Sequence, residues 1–319
     1  MAEISRASWV GAGILLVLVT AVISGVSTFV NAYAVVGTSS DAFVTVRNAV
    51  VAAAFVPVAL VAARRLRSPA LRRKDWLRLA VIGVVGGGIP FLLFFRGLQL
   101  ATAAGGATGA AFGYRTLFLW ATVLGFVVLR ERLHGRVVVG AALLLAGNAF
   151  LLTLTGPIWT AGTAYVLAAT GLWAVEYTIS KATLRDLPSA TVALGRMGFG
   201  AVFLVAYLGL TSQGGAVAAF SAADWTWIAI SAALLAAFVA TWYAGLKRVD
   251  LGVATAALVL GFPVTSALGL WVQGHVLTIA QALGALAVVA GVAVVIGLAQ
   301  LRATWELLAR VVRPTASAA

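Results

Sequence analysis

The feature that most constrains this chain is a series of apolar stretches, each about twenty residues long, separated by short breaks rich in turn residues and charge. They fall near residues 9–31, 42–63, 77–99, 103–128, 137–155, 160–181, 188–210, 225–246, 252–272 and 278–300. Stretches of that length predict helices that cross a bilayer, with every backbone hydrogen bond made inside the helix. Composition agrees: 62% of the 319 residues are hydrophobic and 10% charged, with a mean hydropathy of +1.06. A surface so poor in charge cannot face water all round. The expected fold is an all-α integral membrane protein of ten transmembrane helices. The first stretch is too long for a cleaved signal peptide and is read as retained.

The breaks orient the bundle. Basic residues gather at Arg6, at Arg64, Arg65, Arg67, Arg72, Arg73 and Lys74, at Arg130, Arg132 and Arg136, at Lys181 and Arg185, at Lys247 and Arg248, and at Arg302, Arg310 and Arg313. With ten helices all of these lie on one side, against Arg96 on the other. The positive-inside rule then places both termini in the cytoplasm. Trp9, Trp76, Trp159, Trp225 and Trp227 fall near span ends, where amphipathic rings settle. Ser221 and Asp224 have the spacing of a capping box before the eighth helix.

The chain also repeats itself at an offset of about 150 residues. "VISGVSTFVNAYAVVGTSSDAFVTVRNAV" aligns with "LWAVEYTISKATLRDLPSATVALGRMGFG", pairing Asn31 with Lys181 and Arg47 with Arg196. "FFRGLQLATAAGG" aligns with "WYAGLKRVDLGVA", pairing Gly97 with Gly245, and "GAALLLAGNAFLL" with "GALAVVAGVAVVI", pairing Gly140 with Gly284 and Gly147 with Gly291. Five helices per repeat is an odd number, so the second copy enters the membrane inverted. Inverted repeats are a hallmark of secondary transporters with a midplane site.

These two halves resemble the drug/metabolite transporter superfamily, in particular its EamA-like ten-helix exporters. "LWAVEYTISKATL" looks like that family's sixth-helix segment, and Arg47 and Arg196 look like the arginines of its second and seventh helices. "YAGLKRVDLGVATAALVLGFPVTSALGLWVQGHVL" is similar to its ninth-helix block, with Pro263 at the usual proline. "RERLHGRVVVGAALLLAGN" is similar to the passage from fourth to fifth helix, with Glu131 at the usual acidic position. The resemblance implies repeats at 1–156 and 157–300, followed by a basic cytoplasmic tail at 301–319. The chain departs from the pattern in helix 4, where Tyr114-Arg115 stands opposite Phe262-Pro263. The second half also lacks the glutamate, so substrates of characterised relatives do not carry over.

Four charges lie inside the predicted spans: Arg47, Arg115, Glu176 and Arg196. Each costs about 2.5–3.5 kcal/mol on insertion scales and calls for a partner or a cavity. Glu176 and Arg196 lie at similar depth on successive helices, which fits an ion pair as well as a substrate contact. Arg115 has no acid at its depth. Gly105, Gly109 and Gly113 form a stripe on helix 4 for close packing, and Arg115 projects about 200° away from Gly113. It faces a carbonyl niche, a snorkelled position, or a polar cavity shared with Tyr114. The cavity reading makes it a fork of donors for carboxylate or phosphate. Tyr33, Trp120, Trp173, Tyr177, Trp242 and Tyr243 are further candidates for cavity walls, with Trp173 and Tyr177 preferred because they flank Glu176. Pro57, Pro90 and Pro263 either kink their helices or free carbonyls for coordination.

The predicted substrate-binding set is Arg115, Tyr114, Arg47, Arg196, Glu176, Trp173 and Tyr177, with Glu176 as the coupling candidate. The expected activity is secondary-active export of small polar or amphipathic metabolites, amino acids and related carboxylates first, by alternating access. A translocator of lipophilic drugs or lipids is the rival within transport; a scaffold or an intramembrane enzyme ranks lower. No G-x-x-x-x-G-K-[ST] motif or paired acids point to an enzyme. No cofactor is expected. The absence of cysteine, and the separation of His134 from His275, give no metal-site spacing. The expected partners are a small-molecule substrate and the lipid bilayer, not nucleic acid, with the chain a monomer or homodimer. Its arginine-over-lysine bias and its alanine, valine and glycine content suggest a bacterial cytoplasmic membrane. The tail "LRATWELLARVVRPTASAA" reads as a basic interfacial helix ending at Pro314.

Overall fold

The computed structural model describes residues 2–34, 38–65, 70–152, 157–274, 276 and 278–312, all helical or connecting, with no strand among them. Arg67, His275, Arg313 and Pro314 lie outside the described residues. The helices are α1 (Ala2–Ala34), α2 (Ser40–Arg65), α3 (Arg73–Ile82), α4 (Ile89–Ala103), α5 (Ala107–Arg115), α6 (Leu117–Leu129), α7 (Gly135–Leu152), α8 (Ala161–Thr183), α9 (Ser189–Leu210), α10 (Gly215–Ala218), α11 (Ala222–Leu246), α12 (Leu251–Leu258), α13 (Gly261–Gln273), α14 (Ile279–Ile296) and α15 (Leu298–Val312). A π-helical turn, Gly83–Gly88, joins α3 to α4 in one continuous column.

Nine columns among the described residues are long and apolar enough to cross a membrane. The stretch expected to be the sixth span, now α8, is the one that differs. It has 23 residues, but Glu176, Lys181 and several threonines lower its apolarity. Its polar groups face inward: Thr163, Thr170, Glu176, Thr178, Ser180 and Thr183 are all buried. Neighbouring helices take the place of lipid around it, packing against it from α4, α5 and α6. The threonines Thr170, Thr178 and Thr183 return their hydroxyls to carbonyls one turn back, which removes unpaired donors from an apolar interior.

Small residues let the columns approach. On α7 and α14 the contacts are reciprocal: a Cβ on Gly147 would stand 2.7 Å from the Gly284 oxygen, and one on Gly284 would stand 2.7 Å from the Gly147 oxygen. Gly140 and Gly291 repeat this, at 2.9 and 3.0 Å. The glycines that the repeat aligns as equivalents, Gly140 with Gly284 and Gly147 with Gly291, therefore meet crosswise. Antiparallel helices related by a two-fold axis make this pattern. Another aligned pair behaves alike: Gly97 packs on the Gly162 carbonyl of α8, and Gly245 on the Gly13 carbonyl of α1.

Two columns are broken near their middles. Between α12 and α13 the break precedes Pro263, which has no N–H to donate. Between α5 and α6 there is no proline; Thr116 supplies the break, its hydroxyl and its amide both donating to the Gly113 carbonyl, at 2.7 and 3.2 Å. The column of α5 and α6 thus has an interruption like that of α12 and α13, but without a proline. Of the glycine stripe expected there, Gly109 and Gly113 pack closely, against Ile158 and Leu167. Gly105 instead sits in the turn before α5 with φ +71° and nothing against it.

At the other end, α14 stops at Gly297, whose φ of +90° turns the chain into α15. The tail helix thus starts at Leu298, earlier than the expected 301, and packs back on α1, where Gly11 faces Thr304. Its Trp305 remains exposed. Ser221 and Asp224 form the expected capping box at the start of α11.

Candidate functional site

A cavity of about 350 Å³ lies among α1, α2, α4, α5, α8, α9 and α11. Asn31, Arg47, Leu98 and Ala110 line it at the ends of their helices remote from the basic loops, while Tyr177 and Arg196 lie deepest. Six of the seven residues singled out from the sequence line it: Arg47, Tyr114, Arg115, Trp173, Tyr177 and Arg196. Glu176 does not reach the wall. It sits behind Arg196, fully buried.

The walls are aromatic. Tyr114, Trp173 and Phe94 pack with centroids 5.2–5.5 Å apart, and Phe91 meets Trp173 at 5.5 Å. Tyr177 packs against the buried Trp242, with centroids 4.6 Å apart and the rings tilted at 48°. Of the other aromatic candidates, Tyr243 is turned to Glu176, while Trp120 and Tyr33 are partly exposed on the outside. A stripe of short polar residues on α1 completes the cavity: Ser24, Ser27, Thr28 and Asn31. Asn31 accepts from Ser231 at 2.7 Å. This stripe was not singled out from the sequence, although its spacing of three and four residues in "SGVSTFVN" places it on one helical face.

The floor rests on the π turn. Pro90 has no N–H, so a carbonyl one turn earlier lacks its helical partner. The Gly86 carbonyl accepts instead from the Trp173 indole at 3.0 Å and from Arg196 Nη2 at 3.3 Å, and the Gly87 carbonyl accepts from Asn48 Nδ2 at 3.3 Å. Three side chains from three helices are thereby aimed by one irregular turn. The turn must be glycine: a Cβ on Gly86 would stand 2.7 Å from Glu176 Oε2, and the Gly200 backbone lies directly against Gly87. Of the two readings left open for Pro90, freed carbonyls describe what is found.

The arginines differ in how they are balanced. Arg196 Nε lies 3.5 Å from Glu176 Oε2, and Glu176 Oε1 accepts from Ser180 at 2.5 Å and Tyr243 at 2.7 Å. Glu176 and Arg196 are therefore an ion pair, one of the two readings left open from their depth. Arg47 donates through Nε and Nη2 to the neutral Asn48 Oδ1, at 3.2 and 3.1 Å, beneath the Phe91 ring. Arg115 lies 4.1 Å from the centroid of Phe262, the neighbour of Pro263 in the other half, and its Nε has no hydrogen-bond partner. No carboxylate pairs with Arg47 or Arg115 among the described residues.

Side-chain bonds cross the side of the basic loops. Lys181 Nζ donates to the Leu246 and Val249 carbonyls at 2.7 and 2.5 Å, and Lys247 Nζ to Leu187 at 3.0 Å. Glu131, after α6, crosses to the other half and accepts the Leu251 N–H at 2.8 Å, capping α12. Burial pushes its carboxyl above the usual range, against the lowering effect of that backbone bond. No three metal-ligating side chains gather among the described residues.

No curated protein matches the chain in sequence. One crystal structure of a protein superimposes with a TM-score of 0.71 at 18% identity, covering 89% of this chain and 96% of that one, a likeness of fold alone. The model of the EamA-like transporter family matches twice, over residues 11–153 and 160–297. Two matches in tandem, over columns that meet crosswise through equivalent glycines, lead to one conclusion: the chain belongs to the EamA-like transporter family.

Proposed function

We propose that this chain is a secondary-active exporter of small amphipathic metabolites bearing an anionic group, amino acids and related carboxylates first. The observation that carries the reading is the cavity itself, in which three guanidiniums project into an aromatic enclosure with a polar stripe opposite. Guanidinium forks match carboxylate, and the rings match an apolar body. The crosswise glycine contacts support two inverted five-helix units, with repeats at 1–156 and 157–300, that rock against each other. Burial of the polar α8 by its neighbours supports its being the tenth span. With both termini on the basic, cytoplasmic side of a bacterial inner membrane, the cavity is on the external side.

Glu176 is the coupling candidate, but its bonds to Ser180, Tyr243 and Arg196 favour a fixed counter-ion. In this reading solute exchange or a solute gradient drives the cycle. Purified protein in liposomes loaded with a mixture of amino and organic acids tests it. The expected result is counterflow of a labelled carboxylate with no added partner, abolished by Arg115→Gln. Uptake restricted to lipophilic cations or lipids, unaffected by Arg115→Gln, overturns it in favour of a drug or lipid translocator.

A further inference from the structure

The cavity's charges do not balance. Of its three guanidiniums only Arg196 has a carboxylate within reach among the described residues: Oε1 of Glu176 accepts from Ser180 and Tyr243, and Oε2 faces Arg196 Nε at 3.5 Å. Arg47 is 3% exposed and rests on a neutral amide and a ring face. Arg115 rests on a ring face with a buried, unpartnered Nε. A ring face weakens the demand of a buried cation for a counter-charge without meeting it, and arginine does not give up its proton near neutral pH. Two positive charges are therefore left for whatever fills the cavity. They come from two different helices, Arg47 from α2 and Arg115 from the end of α5.

Size and walls restrict the occupant further. A volume of about 350 Å³ is near the lower end of the roughly 300–1,000 Å³ range of small-molecule sites. The same wall carries Phe91, Phe94, Tyr114 and Trp173, which suit one flat apolar group rather than a sugar or a chain of hydroxyls. Resting on the function proposed above, we infer that the preferred ligand is a dianion on a ring-sized apolar body. Its two negative charges sit on one phosphoryl group or on two carboxylates, and they answer Arg47 and Arg115 together. Arg196, on the floor, stays paired with Glu176 behind it, and its charge takes no part in the count.

Phenyl phosphate and phenyl sulfate make the comparison, because they share a shape and differ by one charge once the phosphate has lost its second proton, near pH ~6. Phenylsuccinate adds the two-carboxylate form. Binding is measured by titration calorimetry on the full chain in lipid nanodiscs at pH 8 and pH 5. At pH 8 at least one dianion is expected to bind tenfold or more tightly than phenyl sulfate, and which one does so identifies the group that carries the charge. At pH 5 the phosphate advantage collapses. The sulfate titration removes any contribution from Tyr114, Tyr177 or Glu176, the titratable groups at or behind the wall. Arg47→Gln and Arg115→Gln are each expected to reduce the dianion to the affinity of the sulfate, and the wild-type comparison stands even where a variant does not fold. Equal binding of all three anions at pH 8 overturns the dianion inference and leaves the carboxylate transporter intact. Binding of neutral or cationic aromatics alone overturns both.

Discussion

Replacing Glu176 by glutamine removes the only carboxylate near Arg196 while the guanidinium stays 3% exposed beneath the cavity. The substituted amide would still accept through its oxygen from Tyr243 and Ser180, so the loss is mostly one of charge. Breaking one side of a buried pair costs about 3–5 kcal/mol. Arg196→Gln strands the carboxylate instead, with two hydroxyl donors remaining, and is placed near the lower end, at about 3 kcal/mol. The double variant has no buried charge to strand. It loses only the packing and the Arg196 bond to Gly86, about 1–2 kcal/mol. The non-additivity is then at least about 4 kcal/mol, well above the scatter between independent sites. At about 2 °C per kcal/mol for a chain of this size, each single variant melts roughly 6–10 °C below wild type, and the double variant melts above both. Melting of all four proteins in one detergent, followed by near-ultraviolet circular dichroism, reads the cycle directly. Additive losses, or Glu176→Gln melting with wild type, would refute the fixed counter-ion. Loss of pH-dependent transport in a stable Glu176→Gln would return the residue to proton coupling.

The glycine contacts predict an image effect. Gly147→Leu and Gly284→Leu should each lose about 1–3 kcal/mol by overpacking, and should match one another, because each Cβ meets the other's carbonyl at 2.7 Å. Gly171→Leu, with nothing within 4 Å, should change the melting temperature little; unequal losses at Gly147 and Gly284 would count against the two-fold relation. Glu131 predicts a pH effect. Its carboxyl is raised by burial, so the folded chain holds that proton more tightly than the unfolded one. Lowering the pH through the raised value therefore adds stability, and raising the pH removes it. The melting difference between wild type and Glu131→Gln should shift towards wild type as pH falls from 7 to 4, and a difference independent of pH would contradict the burial.

Most of the architecture was legible because lipid imposes a simple rule on sequence: apolar length marks a column, and basic breaks mark a side. The Glu176–Arg196 pair was legible for a related reason, since depth along a helix can be counted from its end. What escaped notice depends on contacts between distant segments or on backbone irregularity. Ser24, Ser27 and Asn31 look like tolerated hydroxyls and amides in an apolar helix until the cavity opens beside them. The break at Thr116 carries no proline or glycine of its own, only a hydroxyl that captures a carbonyl. The π turn had its signals, three consecutive glycines before Pro90, but not the identity of the side chains that take the Gly86 carbonyl. Arg115 had no visible partner because Phe262 comes from the other half of the chain.

The crosswise glycines have an energetic corollary. In the rocking cycle proposed above, two identical halves would make the arrangement open on one face and the arrangement open on the other isoenergetic images. Any preference between them resides in the positions that break the likeness. Glu131 is one such position: it bonds from the first half to Leu251 in the second, on the side of the basic loops. The second half lacks the matching glutamate in its sequence. In that cycle the resting bias of the empty carrier would be adjustable at a loop far from the cavity, by a single side chain, with the chemistry of recognition left untouched.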